Sequence, residues 1–180
     1  MENYFMDHYI IFDVEIVERS RVKEISEISS IKLNETLEII DTFNSKTESL
    51  VNILPKFEGW IKKGQADNKI MYSWGRTQRN QIIEEAKSKN YNGDIFDLLL
   101  YFSSLQHVLK NMKDDKLYTI KNAMKILNIE YIERKCLMDD VNNTVKIFNE
   151  IYGKWIHPGN PVFPQPGEKI FTGKKYWLNK

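Results

Sequence analysis

Asp13 and Glu15 stand two residues apart inside IIFDVEIV (10–17), a run that is otherwise apolar. Eight residues rich in Ile and Val form the pattern of a strand covered on both faces, where an unpaired charge costs several kcal/mol. Strand side chains alternate, so the two acids project from one face and repel each other unless a cation lies between them. Paired oxygen donors of this kind suit a hard divalent ion such as Mg²⁺ or Mn²⁺. They equally suit a strand end at which both acids reach water or meet Lys or Arg, and the stretch alone leaves both readings open.

The elements that would position these acids follow from hydrophobic periodicity. KEISEISSIKLN (23–34) alternates apolar and polar residues, and ETLEIIDTFNSKT (35–47) is a third extended run, so three consecutive strands make a meander. LPKFEGWIKKG (54–64) carries Leu54, Phe57, Trp60 and Ile61 at helical spacing, with Pro55 expected in the first turn. KIMYSWG (69–75) reads as a strand, RTQRNQIIEEAKSKN (76–90) as a polar helix, and DIFDLLLYF (94–102) as a strand leading into FSSLQHVLKNM. Helical stripes follow in YTIKNAMKILNI (118–129) and DDVNNTVKIFNEIYGKW (139–155). Strands first in a meander and then alternating with helices predict an α/β domain with one mixed sheet.

Composition sets the background. With 180 residues, 42% of them hydrophobic and 28% charged, the chain has the size and balance of one folded domain. No stretch approaches the apolar length of a membrane span, and the start MENYFMDHYIIF lacks the marks of a signal peptide, so no membrane association and a cytoplasmic location are expected. Cys136 is the only cysteine, which excludes an internal disulfide and a cysteine-rich zinc site. Basic character is concentrated at the end: residues 151–180 hold five lysines against Glu168, four of the five prolines, and six aromatics including Trp155 and Trp177. We therefore divide the chain into a domain at 1–153 and an extended basic, aromatic tail at 154–180, with Gly173 in the turn of a hairpin. Lysines interleaved with rings suit single-stranded nucleic acid, and also a tail that docks on its own domain, on a partner or on a second copy through residues 155–180.

In this order the motifs resemble a known family. IIFDVEIV, then EISEISSIKL, then the Trp-Gly step of FEGWIKKGQADNKIMYSWG, and finally KCLMDDVNNTVKIF are similar to the DEDDh (DnaQ-like) 3′-to-5′ exonucleases, over roughly residues 8–152. Within that family they look most like the branch that trims structured RNA ends. The resemblance implies a ribonuclease H-like fold: a mixed five-stranded sheet flanked by helices. It also implies four carboxylates holding two Mg²⁺ or Mn²⁺ ions about 4 Å apart, a histidine base, and the 3′ end of single-stranded RNA or DNA as substrate. On this reading Asp13, Glu15 and Asp140 are metal ligands and catalytic residues, Asp139 caps its helix, and Ile16 and Val17 lie where a wedge against a terminal base belongs.

Two positions depart from the pattern. The third acid would follow the Trp-Gly step by three residues, where Gln78 stands, and the base would precede the last Asp by five, where Lys135 stands. An amide lacks a carboxylate's charge, and lysine is protonated at neutral pH, so neither does the family's work. Loss of a base alone costs about 10² to 10⁴ in rate. The expected function is an exonuclease-like protein, weakened or inactive, kept for binding nucleic acid or a partner, with one weakly held ion or none. Two alternatives stand beside it: an active exonuclease that recruits its missing groups from Asp97, Asp139 or the tail, with two ions, and a protein-interaction module docking through the tail. His8, His107 and His157 are expected to be structural or exposed, Trp74, Phe12 and Val14 to fill core, and Arg76, Arg79 and Lys87 to form a solvated face.

Overall fold

The computed structural model describes residues 7–46, 49–64 and 68–155. The expected tail, its hairpin at Gly173 and His157 lie outside the described residues, apart from the last helical residues up to Trp155. Strand β1 (Asp7–Arg19) turns into β2 (Val22–Leu33) through Ser20 and Arg21, both in the left-handed region with φ of 50° and 67°. Two successive residues of that kind make the tight hairpin turn whose twist matches its strands. After β3 (Ile39–Lys46), β4 (Asn68–Ser73) pairs parallel with β1 and β5 (Phe102–Ser104) parallel with β4. The sheet is therefore mixed and five-stranded, in the order β3-β2-β1-β4-β5.

Helices cover both faces: α1 (Leu50–Lys62), α2 (Thr77–Ser88), α3 (Ile95–Leu98), α4 (Leu105–Met112), α5 (Ile120–Ile126) and α6 (Leu137–Trp155). Alternation along β1 sorts the core into two layers. Ile10, Phe12 and Val14 pack with α1, α2 and α3, whereas Tyr9 and Ile11 pack with α4, α5 and α6. By the same period of two, Asp13 and Glu15 continue the α6 side of the strand. Phe12, Val14 and Trp74 are core, as expected.

Two expectations need correction. Residues 94–102 were expected to be one strand, but only Phe102 onward is extended; Ile95–Leu98 is helical and Leu99–Tyr101 a 3₁₀ turn. Ile95 and Leu99, four apart, are the buried pair, and Glu58 Oε1 accepts the Ile95 N–H at 2.8 Å, so the apolar run satisfies a helical turn instead. Helix α1 also begins four residues before Leu54, because Leu50 and Ile53 extend the buried stripe of Leu54, Phe57 and Ile61, which leaves Pro55 inside the helix rather than in its first turn. The far end of α1 is tied to the sheet by Lys32. This lysine is only 2% exposed, lies 4.5 Å from the Trp60 ring and donates to the carbonyls of Trp60 (2.6 Å) and Lys63 (2.9 Å). Carbonyls at a helix end have no partner within the helix, and a cation there satisfies both need and dipole.

Candidate functional site at the carboxyl end of strand β1

The apolar alternation of β1 gives way to acids where α6 begins, and five side chains from four segments meet there. Asp13, 9% exposed, accepts from its neighbour's Val14 N–H at 2.8 Å and from the side chain of Gln78 in the first turn of α2. Gln78 reaches it from just beyond the Trp-Gly step: a Cβ on Gly75 would come within 3.3 Å of Gln78 Oε1, so a side chain there would crowd the amide. Asp140, in the first turn of α6, accepts from Arg134 Nε at 2.9 Å, and a terminal nitrogen of the same guanidinium donates to Glu15. Arg134 thus bridges the two half-buried acids, and its field reaches Asp13 as well.

The charges respond accordingly. Burial, with help from Asp140, pushes Asp13 up to about 6 against the opposing pull of its hydrogen bonds and of Arg134. Burial also raises Asp140, with Asp139 and Glu15 adding to it and Arg134 opposing it. Burial disfavours the Arg134 charge, but Asp140 and Glu15 outweigh it and raise the guanidinium above its ordinary value. A site in which acids rise and the arginine rises with them is one where negative charge is crowded and only partly neutralised.

Arg134 sits on a loop held by α6 itself. Asn143, fully buried, brackets Ile132: its Oδ1 accepts the Ile132 N–H at 2.9 Å and its Nδ2 donates to the Ile132 carbonyl at 2.8 Å. Asp139 accepts the N–H groups of Lys135 (2.8 Å) and Cys136 (2.9 Å), so it caps the helix as a third-position acid reaching back to the cap residue. These bonds leave Lys135 exposed and Arg134 aimed at the acids. Sequence reasoning took the base position at Lys135 and passed over its neighbour.

A second polar row was also missed. β1 and β2 shift register between Glu15 and Ile16, which sets Glu15 opposite Glu27 and Asp13 opposite Ser29; β2 then sets Glu27 opposite Lys46 and Ser29 opposite Asn44. Such bulges recur beside functional sites. The Ile25 N–H freed there is taken by Glu85 of α2 at 2.7 Å. Glu27, 4% exposed, is held by Lys46 (2.9 Å) and Asn44 (2.7 Å). Burial pushes its carboxyl up, but the bonds from Lys46, Asn44 and Ser29 prevail and hold it below the usual range. Like charges directly opposite on a sheet repel, and Arg134 and Lys46 offset that repulsion from either side.

The other predicted residues stay outside. Asp97 is exposed on α3, which packs on the opposite face of the sheet. His107 is the neighbour of Ser104 on α4, with 3.0 Å between Ser104 Oγ and its Nδ1, and His8 is buried at the other end of β1. Arg79 bonds the Leu99 carbonyl, while Arg76 and Lys87 are exposed.

Two divalent ions would need oxygen donors that this set does not supply. Gln78 brings an amide to Asp13, Arg134 engages Glu15 and Asp140, and among the described residues no group of three His, Cys, Asp or Glu side chains is arranged to hold a metal ion. The residues present do not fit the two-ion centre.

No protein-family model matches the sequence, and no curated protein matches it. Solved structures do match the fold. The nuclease domain of 3′hExo, a DEDDh family member bound to rAMP, superposes with a TM-score of 0.67 at 17% identity, over 85% of this chain and 94% of that one. Cell-death related nuclease 4 (CRN-4) matches with a TM-score of 0.65 at 14% identity, over 82% of this chain and 64% of the nuclease. E. coli exonuclease I in complex with a dT13 oligonucleotide matches with a TM-score of 0.61 at 11% identity, where this chain spans 41% of the larger enzyme. The fold is that of the DnaQ-like exonucleases, of ribonuclease H-like type, as the sequence resemblance implied. Among the described residues no helix is long and apolar enough to cross a membrane.

Proposed function

We propose that this protein binds the 3′ end of single-stranded RNA or DNA at the carboxyl end of β1 and hydrolyses it weakly or not at all. The observation that carries the reading is the meeting of Asp13 with the amide of Gln78 where the exonuclease pattern calls for a fourth carboxylate. An amide gives Asp13 a hydrogen bond but no charge with which to hold a cation. Lys135, exposed, stands where the resemblance puts the histidine base.

Binding is the capacity that survives. Solved structures with this fold hold rAMP and a dT13 oligonucleotide, and one is described as recognising the 3′ end of a histone mRNA stem-loop. Lys135 is exposed beside these acids and suits a phosphate oxygen, whereas Lys46 and Arg134 are paired with Glu27 and with Glu15 and Asp140. The test is fluorescence anisotropy of a short RNA or DNA strand in EDTA, with a free or a blocked 3′-hydroxyl. Salt-sensitive binding that weakens when the end is blocked supports the reading. No binding at low salt by the folded protein refutes it.

Glu27, facing Glu15, gives the active alternative its one concrete support: a further buried carboxylate from the neighbouring strand. Its engagement by Lys46 argues for a structural role instead.

A further inference from the structure

An acidic centre that lacks a fourth carboxylate still has to balance the charge of the three it keeps. Arg134 does this with geometry as well as charge. Its Nε meets Asp140 at 2.9 Å while a terminal nitrogen meets Glu15, so one planar guanidinium spans the two acids. A guanidinium stays charged at any physiological pH, and its donors lie in a fixed fork suited to carboxylates. The side chain did not drift there from a free loop. Asn143 clamps Ile132, Lys146 bonds the Glu130 carbonyl at 3.1 Å, and Asp139 holds the two residues after Arg134.

We propose that Arg134 is the resident cation of this site, occupying with its guanidinium the carboxylate oxygens of Glu15 and Asp140 that a divalent ion would need, so that the folded protein does not take up Mg²⁺ or Mn²⁺. The inference rests on reading this face as an exonuclease-type centre. Oxygen ligands must approach such ions within about 2.0 to 2.6 Å. An ion that close to Glu15 and Asp140 would have to displace the guanidinium and would lie beside its charge. Removing the guanidinium frees both carboxylates beside Asp13 and leaves uncompensated negative charge; the three acids are not arranged around an ion as they stand, so a divalent ion would have to draw Glu15 and Asp140 together, which makes a weak site. Arg134 is therefore a metal-excluding residue.

Mn²⁺ titration of the full chain, read by water-proton relaxation and by thermal melting, tests this. Wild type is expected to show no saturable binding tighter than about 1 mM, the weak end of oxygen-ligand sites. Arg134→Met, similar in length and uncharged, is expected to bind Mn²⁺ at least about 10-fold more tightly and to melt higher in its presence, and Asp140→Asn added to it is expected to abolish the gain. Saturable binding by wild type in the micromolar range overturns the inference, whether or not any variant folds. So does a folded Arg134→Met with no gain; if Met does not fold, Arg134→Lys, whose ammonium spans the two acids poorly, is read in its place by the same criterion. Metal uptake by wild type leaves nucleic-acid binding in EDTA intact, whereas absent nucleic-acid binding leaves the metal titration unchanged, so the two failures are separable.

Discussion

Replacing Asp13 by Asn should stabilise the folded protein near neutral pH and flatten its response to pH. The wild-type carboxyl is held at about 6 in the folded state against 3.8 in a free chain, chiefly by burial. Between those values the folded protein retains a proton that the unfolded chain has released. Stability attributable to Asp13 is therefore highest below about pH 4, falls as pH rises, and levels off above about pH 6. One unit of pKa corresponds to about 1.4 kcal/mol, so the ionised side chain costs the fold about 3 kcal/mol at neutral pH. Asn removes the charge and keeps the shape. Its Oδ1 can still accept the Val14 N–H, and its Nδ2 can donate to Gln78 Oε1, which is buried without a hydrogen-bond partner. Attraction to Arg134 is already contained in that net shift, so the expected gain is about 3 kcal/mol. Urea unfolding of wild type and Asp13→Asn across the acidic and neutral range reads the difference directly. The two curves should converge near pH 4 and separate by neutral pH. A constant separation, or an Asn variant that is less stable at neutral pH, would refute the assignment of burial as the dominant influence on Asp13.

Asn143→Ala should cost about 2 kcal/mol in urea unfolding, because it leaves the Ile132 N–H and carbonyl without their partners, and amide exchange over residues 130–136 should quicken while the sheet stays protected. Lys32→Ala should lower stability by about 2 to 3 kcal/mol, since two carbonyls at the end of α1 lose a charged donor and the Trp60 ring loses its neighbour; a melting temperature equal to that of wild type would contradict this.

The sequence displays some parts of the site openly and hides others for physical reasons. Asp13 and Glu15 are legible as a pair because the strand's period of two sets both on one face, but the stretch alone does not say whether a metal ion, water or, as for Glu15, an arginine meets them. Asp140 is legible through its place at the start of an amphipathic helix within a resembling motif. Arg134 is not: it lies in a polar segment, ERK, where one cation looks like the next, and only the Asn143 clamp selects it over Lys135. Glu27 is hidden differently. Counting back from the two-residue turn at Ser20 and Arg21 would set Glu15 opposite Ser26, and the bulge moves the partner by one residue. The strand expected over 94–102 fails because an apolar run carries both periods at once, and the burial of Ile95 with Leu99 decides for the helical one.

The most direct measurement is degradation of 3′-labelled single-stranded RNA and DNA by the full chain, with Mg²⁺ or Mn²⁺, beside an Asp13→Ala, Glu15→Ala variant and an active exonuclease as positive control. On the proposed reading, which sets Gln78 in the place of a carboxylate and Lys135 in the place of a base, no stepwise shortening above that of the double variant is expected at high protein concentration. Shortening that the double variant abolishes would contradict the account and return Asp13 and Glu15 to the role of ligands in a working nuclease.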